Sequence, residues 1–233
     1  MQTIAAIDIG SNAIRLVVAK VNAQSEIRLI KKFREPVRLG EDVFSQGAIS
    51  AKTVEKAVRA FQNFRQFMKD QNVAYAKAVA TSAVREATNR DEFVKKIKDT
   101  TGIQIEIIDG REEARLIYSA VASKVDLQMQ NSVLIDIGGG SVELTVTDHQ
   151  TIVASESFRL GTVRLLNLLK ERKLKEKQIK SVFLEHFPPI QKFLEIHTKD
   201  CKITSAIGTG GNFECLGKLR VALLNKTSVH SMT

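Results

Sequence analysis

The feature that most restricts the fold of this chain is a phrase that occurs twice. "AIDIGSNAIRLVV" occupies residues 6–18, and "LIDIGGGSVELTV" occupies residues 134–146. Aligned without a gap, the two copies place Asp8 opposite Asp136, and in each copy a glycine follows two residues later. Each copy has the pattern of a β-hairpin, with a tight glycine turn between two apolar strands. The repeat therefore predicts two similar lobes, each of which opens on a hairpin.

The first half of the chain alternates strand and helix patterns. Apolar residues recur at helical spacing over 54–68, and Asn89 with Glu92, like Asp109 with Glu112, has the spacing of a capping box. The predicted order is strands at 3–9, 13–21 and 26–34, the helix just named, strand 76–81, helix 90–100, strand 103–108 and helix 110–123.

After Val125 the same order of elements restarts. The second half predicts strands at 132–137, 141–147 and 151–158, a helix at 162–170, a helix at 176–195 bent at Pro188-Pro189, and strand 203–208. This order of elements predicts an α/β fold in two lobes, over residues 1–124 and 125–233.

Composition limits the compartment and the class of partner. No apolar run approaches the roughly 18 residues of a membrane span, and no basic-then-apolar signal segment opens the chain. Two cysteines do not make a disulfide framework, so we expect a cytoplasmic protein without a membrane partner. The net charge of +9 indicates a polyanionic partner, such as a nucleic acid, a nucleotide or another phosphate-rich molecule. The alternative is a soluble protein that is merely basic.

The glycine turn of the second copy has the chemistry of an anion site. Successive backbone N–H groups that point one way form a concave anion site, and glycines allow close approach. The donors here are the backbones of Gly138, Gly139 and Gly140 and the hydroxyl of Ser141. The alternative is that the glycines only make a tight turn. Two copies of the pattern favour phosphate binding.

The first copy offers a related site at its own turn. Gly10 is followed there by two polar side chains, Ser11 and Asn12. Asp8 and Asp136 end the strands that lead into the two turns, where each carboxylate can hold a hydrated Mg²⁺. The alternative is that both aspartates cap the turns. Two such lobes, face to face, would grip a phosphate chain between two turns and two carboxylates.

A series of motifs extends this pattern over nearly the whole chain: "IDIGSN", "TSAVREATN", "IDGREEARLIY", "IDIGGGSVEL", "FRLGTVRL" and "IGTGGN". Together they resemble the exopolyphosphatase / guanosine pentaphosphate phosphohydrolase family. The resemblance implies a duplicated actin-like (ribonuclease H-like) α/β fold with an interlobe cleft, dependence on Mg²⁺, and removal of a terminal phosphate from polyphosphate or guanosine pentaphosphate. It also implies a homodimer.

Two adjacent glutamates in "DGREEARL" are candidates for activating water. Hydrolysis of a phosphoanhydride needs a positioned water and neutralised charge. Glu112 is placed to close a capping box with Asp109, so a helix cap is its better explanation. Glu113 has no such duty and resembles the catalytic carboxylate of the family. We therefore predict that Glu113 is the base, with Glu112 as the alternative.

Glu143 is the second candidate carboxylate. It stands two residues after Ser141 on a predicted strand, so the two side chains share a face. It resembles a second functional carboxylate of the family, for water or for Mg²⁺, and the alternative is an ordinary exposed strand residue. Arg15 occupies the same place in the first copy, so the repeat itself requires no acid there. This asymmetry favours a functional role for Glu143.

Further candidates lie between and after the two copies. Arg85 follows a predicted strand, and its guanidinium can pair with phosphate oxygens; the alternative is a solvated arginine in a helix. Ser82 and Asn89 are expected to be local caps. Thr209 and Gly210 are expected to form another phosphate or nucleoside contact.

Other functions fit parts of this pattern. A kinase or ATPase of the same superfamily would need an adenine pocket, and a non-catalytic polyphosphate or nucleotide sensor would need no carboxylate that activates water. The basic run at 172–180 is typical of a solvated helix face, or guides a long polyanion, and no sequence-specific nucleic acid is expected. Because the second lobe shows no counterpart of "IQIEII", we expect an incomplete second lobe and a longer natural protein.

Overall fold

The computed structural model describes residues 1–175 and 178–224 and contains two α/β units. The first unit is Met1–Asp109, and the second begins at Gly110. None of the helices within the described residues is long and apolar enough to span a bilayer.

The first unit is built on a sheet covered by helices. Its strands are β1 (Gln2–Ile9), β2 (Ile14–Val21), β3 (Ile27–Glu35), β4 (Tyr75–Ala80) and β5 (Ile105–Ile107). Its helices are α1 (Leu39–Gln46), α2 (Ala51–Asp70), α3 (Ser82–Glu86) and α4 (Arg90–Thr101). The strands lie in the order β3-β2-β1-β4-β5, with β1 antiparallel to β2 and parallel to β4.

The second unit repeats this plan. Its strands are β6 (Ser132–Ile137), β7 (Val142–Asp148), β8 (Thr151–Phe158) and β9 (Ser205–Thr209). Its helices are α5 (Gly110–Ala122), α6 (Thr162–Glu171), α7 (Ile179–His186), α8 (Pro188–His197) and α9 (Gly210–Leu224). Within the described residues the sheet order is β8-β7-β6-β9, with β6 antiparallel to β7 and parallel to β9.

The duplication extends to the irregularities of the sheets. The pairing of β2 with β3 shifts between Val18 and Ala19, and the pairing of β7 with β8 shifts between Val146 and Thr147. Val18 and Val146 are aligned in the repeated phrase, so both units carry a β-bulge at the same place. The predicted pair of α/β lobes is thereby confirmed at the level of single residues.

Each unit has its own apolar core. In the first unit, alternate residues of β2 point inward and meet the aromatic face of α2, where Phe61 and Phe64 are fully buried. In the second unit Phe158 of β8 packs edge-on against Phe193 of α8, with ring centroids 5.8 Å apart. These cores hold the ends of the strands, and the turns that follow them, in fixed positions.

The boundary between the units lies earlier than the sequence analysis placed it. The predicted first lobe ended at residue 124, but the second unit begins at Gly110, before α5. The physical reason is the apolar face of α5: Val121 is buried in a cluster with Leu134 of β6, and the Tyr118 hydroxyl donates to the carbonyl oxygen of Gln150.

The helix predictions needed other corrections. Helices α1 and α3 were missed, and the single helix expected at 176–195 is two helices, α7 and α8, which meet at Phe187 before Pro188. Asn89 occupies the predicted N-cap position of α4, but its side chain makes no capping hydrogen bond, because its amide bonds both backbone groups of Ile49 at 2.9 Å. Part of the basic run at 172–180 and the chain end after 224 lie outside the described residues.

Candidate functional site

A row of polar side chains crosses the second sheet at one register. Ser157 of β8 pairs with Glu143 of β7, Glu143 pairs with Asp136 of β6, and Asp136 pairs with Thr209 of β9. Residues directly opposite one another on neighbouring strands project to the same face. The Ser157 hydroxyl donates to Glu143 Oε1 at 2.8 Å, and the Thr209 hydroxyl donates to Asp136 Oδ1 at 2.5 Å. The row therefore presents two neighbouring carboxylates, each held by a hydroxyl.

This pair of carboxylates suits a hydrated cation. Glu143 is 2% exposed and Asp136 is half-buried, and a bound cation offsets the repulsion between two such neighbouring carboxylates. Within the described residues no group of three or more His, Cys, Asp and Glu side chains is placed to hold a metal ion. Mg²⁺ needs no such cage, because it binds through one or two carboxylates, keeps several waters and takes phosphate oxygens. The donor set fits the predicted Mg²⁺.

The carbonyl oxygens of the glycine turn point toward α6. The backbone N–H of Val163 donates to the Gly139 carbonyl at 2.8 Å, and the N–H of Thr162 donates to the Gly138 carbonyl at 3.1 Å. The Arg164 side chain donates from Nε to the Gly140 carbonyl at 2.9 Å.

The direction of these carbonyls sets the direction of the N–H groups in the turn. Across a trans peptide the C=O and the next N–H point opposite ways, and no cis peptide occurs in the described residues. The N–H groups of Gly139, Gly140 and Ser141 therefore point away from α6. Ser141 is buried at 4% exposure, which keeps its backbone fixed in the turn. The geometry supports the anion site predicted there.

Gly161 explains how α6 comes so close to the turn. A Cβ added to Gly161 would lie 2.3 Å from both Gly139 C and Gly140 N, so no side chain fits. The first unit has the same arrangement: the Gly40 N–H donates to the Ser11 carbonyl at 2.8 Å, and an added Cβ would lie 2.9 Å from the Ser11 Cβ. Sequence reasoning missed both glycines. The signal was a second repeated phrase, "RLG", at 38–40 and 159–161.

The first turn is held from both sides. The Gly10 N–H donates to the Ala13 carbonyl at 3.2 Å, and the Asn12 carbonyl accepts from the Arg38 N–H at 3.2 Å. The hydroxyls of Ser11 and Ser82 lie 3.0 Å apart and are buried, so Ser82 supports the turn and is not the local cap that was expected. The role of Ser11 and Asn12 in phosphate binding stays a prediction.

Asp8 and Arg85 have protein partners in the first unit. Arg15 donates from Nη1 to Asp8 Oδ2 at 3.1 Å, and both side chains are nearly half exposed. A guanidinium beside Asp8 makes this site a poorer fit for Mg²⁺ than Asp136. Arg85 donates from Nη1 to the Ile108 carbonyl at 2.6 Å, which anchors its guanidinium at the end of β5. Phosphate binding by Arg85 stays a prediction.

The two adjacent glutamates of α5 differ in their surroundings. Glu112 receives two hydrogen bonds from Arg115, from Nε and Nη2, each at 2.7 Å, and this pairing raises the pKa of the Arg115 guanidinium. Glu113 instead has a buried Oε2. Its helix begins at Gly110, where an added Cβ would lie 2.6 Å from the Ser157 Cβ. Gly110 therefore contacts Ser157 of the polar row, and Glu113 follows Gly110 by about one helical turn. This position near the row supports Glu113 as the candidate base.

The start of α9 lies on the other side of the row. A Cβ added to Gly210 would lie 2.8 Å from Asp136 Oδ1. Asn212, which sequence reasoning missed, donates from Nδ2 to the Ile137 carbonyl at 2.7 Å. Because Thr209 donates its hydroxyl to Asp136, it supports a carboxylate in addition to its predicted phosphate contact.

Comparison with known proteins places this arrangement in a family. The family model described as the Ppx/GppA phosphatase family matches residues 17–224. The chain belongs to that family. It is 35% identical over 168 residues to a bifunctional 3-dehydroquinate synthase/phosphatase of Fusobacterium nucleatum, which covers 69% of this chain and 25% of that protein. It is 32% identical over 170 residues to exopolyphosphatase 2 of Mycobacterium tuberculosis, which covers 70% of this chain and 53% of that protein.

Solved structures of the family have the same fold. An exopolyphosphatase from Cytophaga hutchinsonii superposes with a TM-score of 0.85 at 27% identity, covering 98% of this chain and 73% of that one. A Ppx/GppA family member from Aquifex aeolicus gives a TM-score of 0.73 at 26% identity, covering 97% and 71%. The predicted duplicated actin-like α/β fold is confirmed. The chain spans about half the length, or less, of the curated relatives it matches.

Proposed function

We propose that the chain is a phosphohydrolase that removes the terminal phosphate of inorganic polyphosphate. The single observation that carries the proposal is the buried Glu143 beside Asp136, next to a glycine turn whose N–H groups face away from α6. Guanosine pentaphosphate ends in the same phosphoanhydride and is the second substrate of this proposal. A relative named exopolyphosphatase and the basic charge of the chain support a long polyanion as the first choice.

In this proposal the second turn binds the terminal phosphate. The N–H groups of Gly139, Gly140 and Ser141 donate to its oxygens and fix their direction. These donors are preorganised, because Thr162, Val163 and Arg164 already bind the carbonyls on the opposite side of the same three peptides. Donors that are fixed before the reaction need not reorganise when negative charge develops on the phosphoryl oxygens.

Asp136 and Glu143 hold a cation in this proposal. Mg²⁺ bound there supplies charge neutralisation for the phosphate oxygens. The hydroxyls of Thr209 and Ser157 fix the two carboxylates. Asp136 lies at the end of β6, two residues before the turn, so the cation and the phosphate share one edge of the sheet.

Glu113 is the proposed base. It accepts a proton from the water whose oxygen bonds to the terminal phosphorus, while the bond from that phosphorus to its bridging oxygen breaks and the shortened chain leaves with the bond's electron pair. Glu113 returns the proton to solvent when orthophosphate is released. Both oxygens of Glu112 accept hydrogen bonds from Arg115, and these bonds stabilise its carboxylate against accepting a proton.

The test compares the two neighbours. Release of orthophosphate from inorganic polyphosphate is measured with and without Mg²⁺ for the unaltered protein, Glu113→Gln and the matched control Glu112→Gln. We expect Glu113→Gln to lower turnover by about 10²–10⁴-fold, the usual contribution of a general base. Glu112→Gln is expected to cost far less.

Other outcomes separate the alternatives. The reverse ranking of the two variants assigns the base to Glu112. Equal turnover of all three proteins contradicts the mechanism. Binding of polyphosphate without release of orthophosphate indicates a sensor, and release from ATP alone indicates an ATPase of the same superfamily.

A further inference from the structure

Ser157 contacts two elements that carry the proposed functional carboxylates. Its hydroxyl donates to Glu143 Oε1 at 2.8 Å. The first residue of α5, Gly110, is so close to it that an added Cβ would lie 2.6 Å from the Ser157 Cβ and 3.3 Å from its Oγ. Ser157 therefore touches both the side chain of Glu143 and the start of the helix that bears Glu113.

Glu143 needs such a partner to hold one conformation. Fixing a long glutamate side chain in one conformation costs rotamer entropy. Glu143 is 2% exposed, so a hydroxyl donor inside the protein takes the place of solvent at its Oε1. The contact with Gly110 limits where the Ser157 side chain can move, and it therefore limits where the Glu143 carboxylate can lie.

We propose that Ser157 is a positioning residue that aims Glu143 for the reaction, an inference that rests on the proposed function. Ser157 acts through Glu143. Nothing in the motifs singled out from the sequence pointed to it, because its role depends on the register of β7 against β8.

The chain offers a matched control on the same strand. Ser155 stands two residues before Ser157 and faces the same way. Its Oγ lies 3.2 Å from the hydroxyl of Thr145, so it pairs with a neutral partner where Ser157 pairs with a carboxylate. Ser155→Ala removes the same atoms from the same strand without touching Glu143.

The experiment measures kcat and KM for release of orthophosphate from inorganic polyphosphate with Mg²⁺. We expect Ser157→Ala to lower kcat about 10–100-fold, as losses of outer-shell partners typically do. KM is expected to change less than about two-fold, because the variant loses no contact to the phosphate chain. Ser155→Ala is expected to match the unaltered protein. In Glu143→Gln, the further change Ser157→Ala is expected to add no loss of kcat, because the charged carboxylate that Ser157 positions is already gone.

Equal kcat for Ser157→Ala and Ser155→Ala overturns the inference, and so does a full additional loss in the double variant. Crystal structures of the two serine variants give a readout that does not depend on activity. We expect the Glu143 carboxylate to leave its position in Ser157→Ala and to keep it in Ser155→Ala; an unmoved carboxylate in both contradicts the inference. If the unaltered protein releases no orthophosphate, the proposed function fails, while these structures still decide the role of Ser157.

Discussion

Asp8 and Asp136 occupy the same position in two similar sheets, yet their neighbours carry opposite charge. Asp8 faces Arg15 across β1 and β2, and the two side chains form an ion pair that is nearly half exposed. Asp136 faces Glu143 across β6 and β7, and Glu143 is buried. In the first sheet the charge of the aspartate is neutralised by an arginine of the neighbouring strand, whereas in the second sheet two carboxylates lie side by side. A duplicated backbone has thus kept its geometry while its two copies acquired different chemistry.

The neighbouring strands extend the contrast. Val79 of β4 lies opposite Asp8, and Thr209 of β9 lies opposite Asp136. Of these two side chains, only that of Thr209 can donate a hydrogen bond, and its hydroxyl donates to Asp136. The difference indicates that the second sheet is organised around two fixed carboxylates, whereas the first is organised around a salt bridge and the Ser11–Ser82 contact.

Among the changes that test this comparison, the largest effect is expected from removing the charge that distinguishes the second sheet. Glu143→Gln keeps the shape of the side chain and the Ser157 partner, so folding is expected to survive. Turnover of inorganic polyphosphate is expected to fall about 10²–10³-fold, the scale of losing one preorganised electrostatic group. Arg15→Gln at the aligned position is the control, with turnover within about two-fold of the unaltered protein. Equal losses for the two variants would show that the asymmetry has no functional meaning.

The next largest effect, on the free energy of unfolding, is expected for the glycines that end the two "RLG" phrases, Gly40 and Gly161. Gly161 has φ −71° and ψ 159°, which suit alanine, so Gly161→Ala acts only through the collision with backbone atoms 2.3 Å away. Gly40→Ala meets Phe44 Cε2 at 2.8 Å, Ser11 Cβ at 2.9 Å and the Ser11 carbonyl oxygen at 3.1 Å, so its contacts are less severe than those of Gly161→Ala. Overpacking costs about 1–3 kcal/mol, and we expect Gly161→Ala at the upper end and Gly40→Ala at the lower end. Urea unfolding measures both, and the opposite ranking contradicts the parallel between the turns.

A smaller effect is expected when the residue opposite Asp136 is replaced by the residue type that stands opposite Asp8. Thr209→Val copies the residue that stands beside Asp8 and removes the hydroxyl from Asp136 without a large change in volume. We expect kcat to fall about ten-fold, within the range for outer-shell partners. Val79→Thr is the reciprocal change and should leave kcat unaltered. An unchanged kcat in Thr209→Val would exclude a role for the hydroxyl.

The smallest effect is expected at the salt bridge of the first sheet. Arg15→Gln removes a pair whose side chains are 45% and 47% exposed. Exposed pairs typically contribute about 0.2–1 kcal/mol and weaken with salt. Urea unfolding at low and high ionic strength measures the difference between the two proteins. A loss well above this range would show that Asp8 depends on its arginine more than its exposure indicates.

Much of the fold was predictable because local patterns decided it. The apolar residues of the two repeated hairpins are typical of β-strands, and the glycine after the first strand of each hairpin marks a turn. Asp8 and Asp136 were found because each stands at a fixed distance from a glycine. These features depend on residues within a few positions of one another.

The features that could not be predicted depend on contacts between residues that are distant in the sequence. Asn89 has the spacing of a helix cap, yet Ile49, far away in sequence, takes its amide group. The contact of Ser157 with Glu143 follows from the register of two strands, and a β-bulge shifts that register. Helix α5 was assigned to the first lobe because it precedes the point at which the order of elements restarts, whereas its Val121 packs with Leu134 of the second unit. The repeated "RLG" was visible in the sequence, but its meaning required the contact between Gly161 and the turn.

The contact between α6 and the second turn has an electrical consequence. The aligned peptide dipoles of a helix leave a partial positive charge at its first N–H groups, and here those groups donate into the carbonyls of Gly138 and Gly139. Each of these peptides is polarised further by the bond it accepts, because hydrogen bonds in a chain strengthen one another. The peptide groups of the turn therefore transmit the positive potential of α6 to their own N–H groups on the far face, where the proposed phosphate would bind.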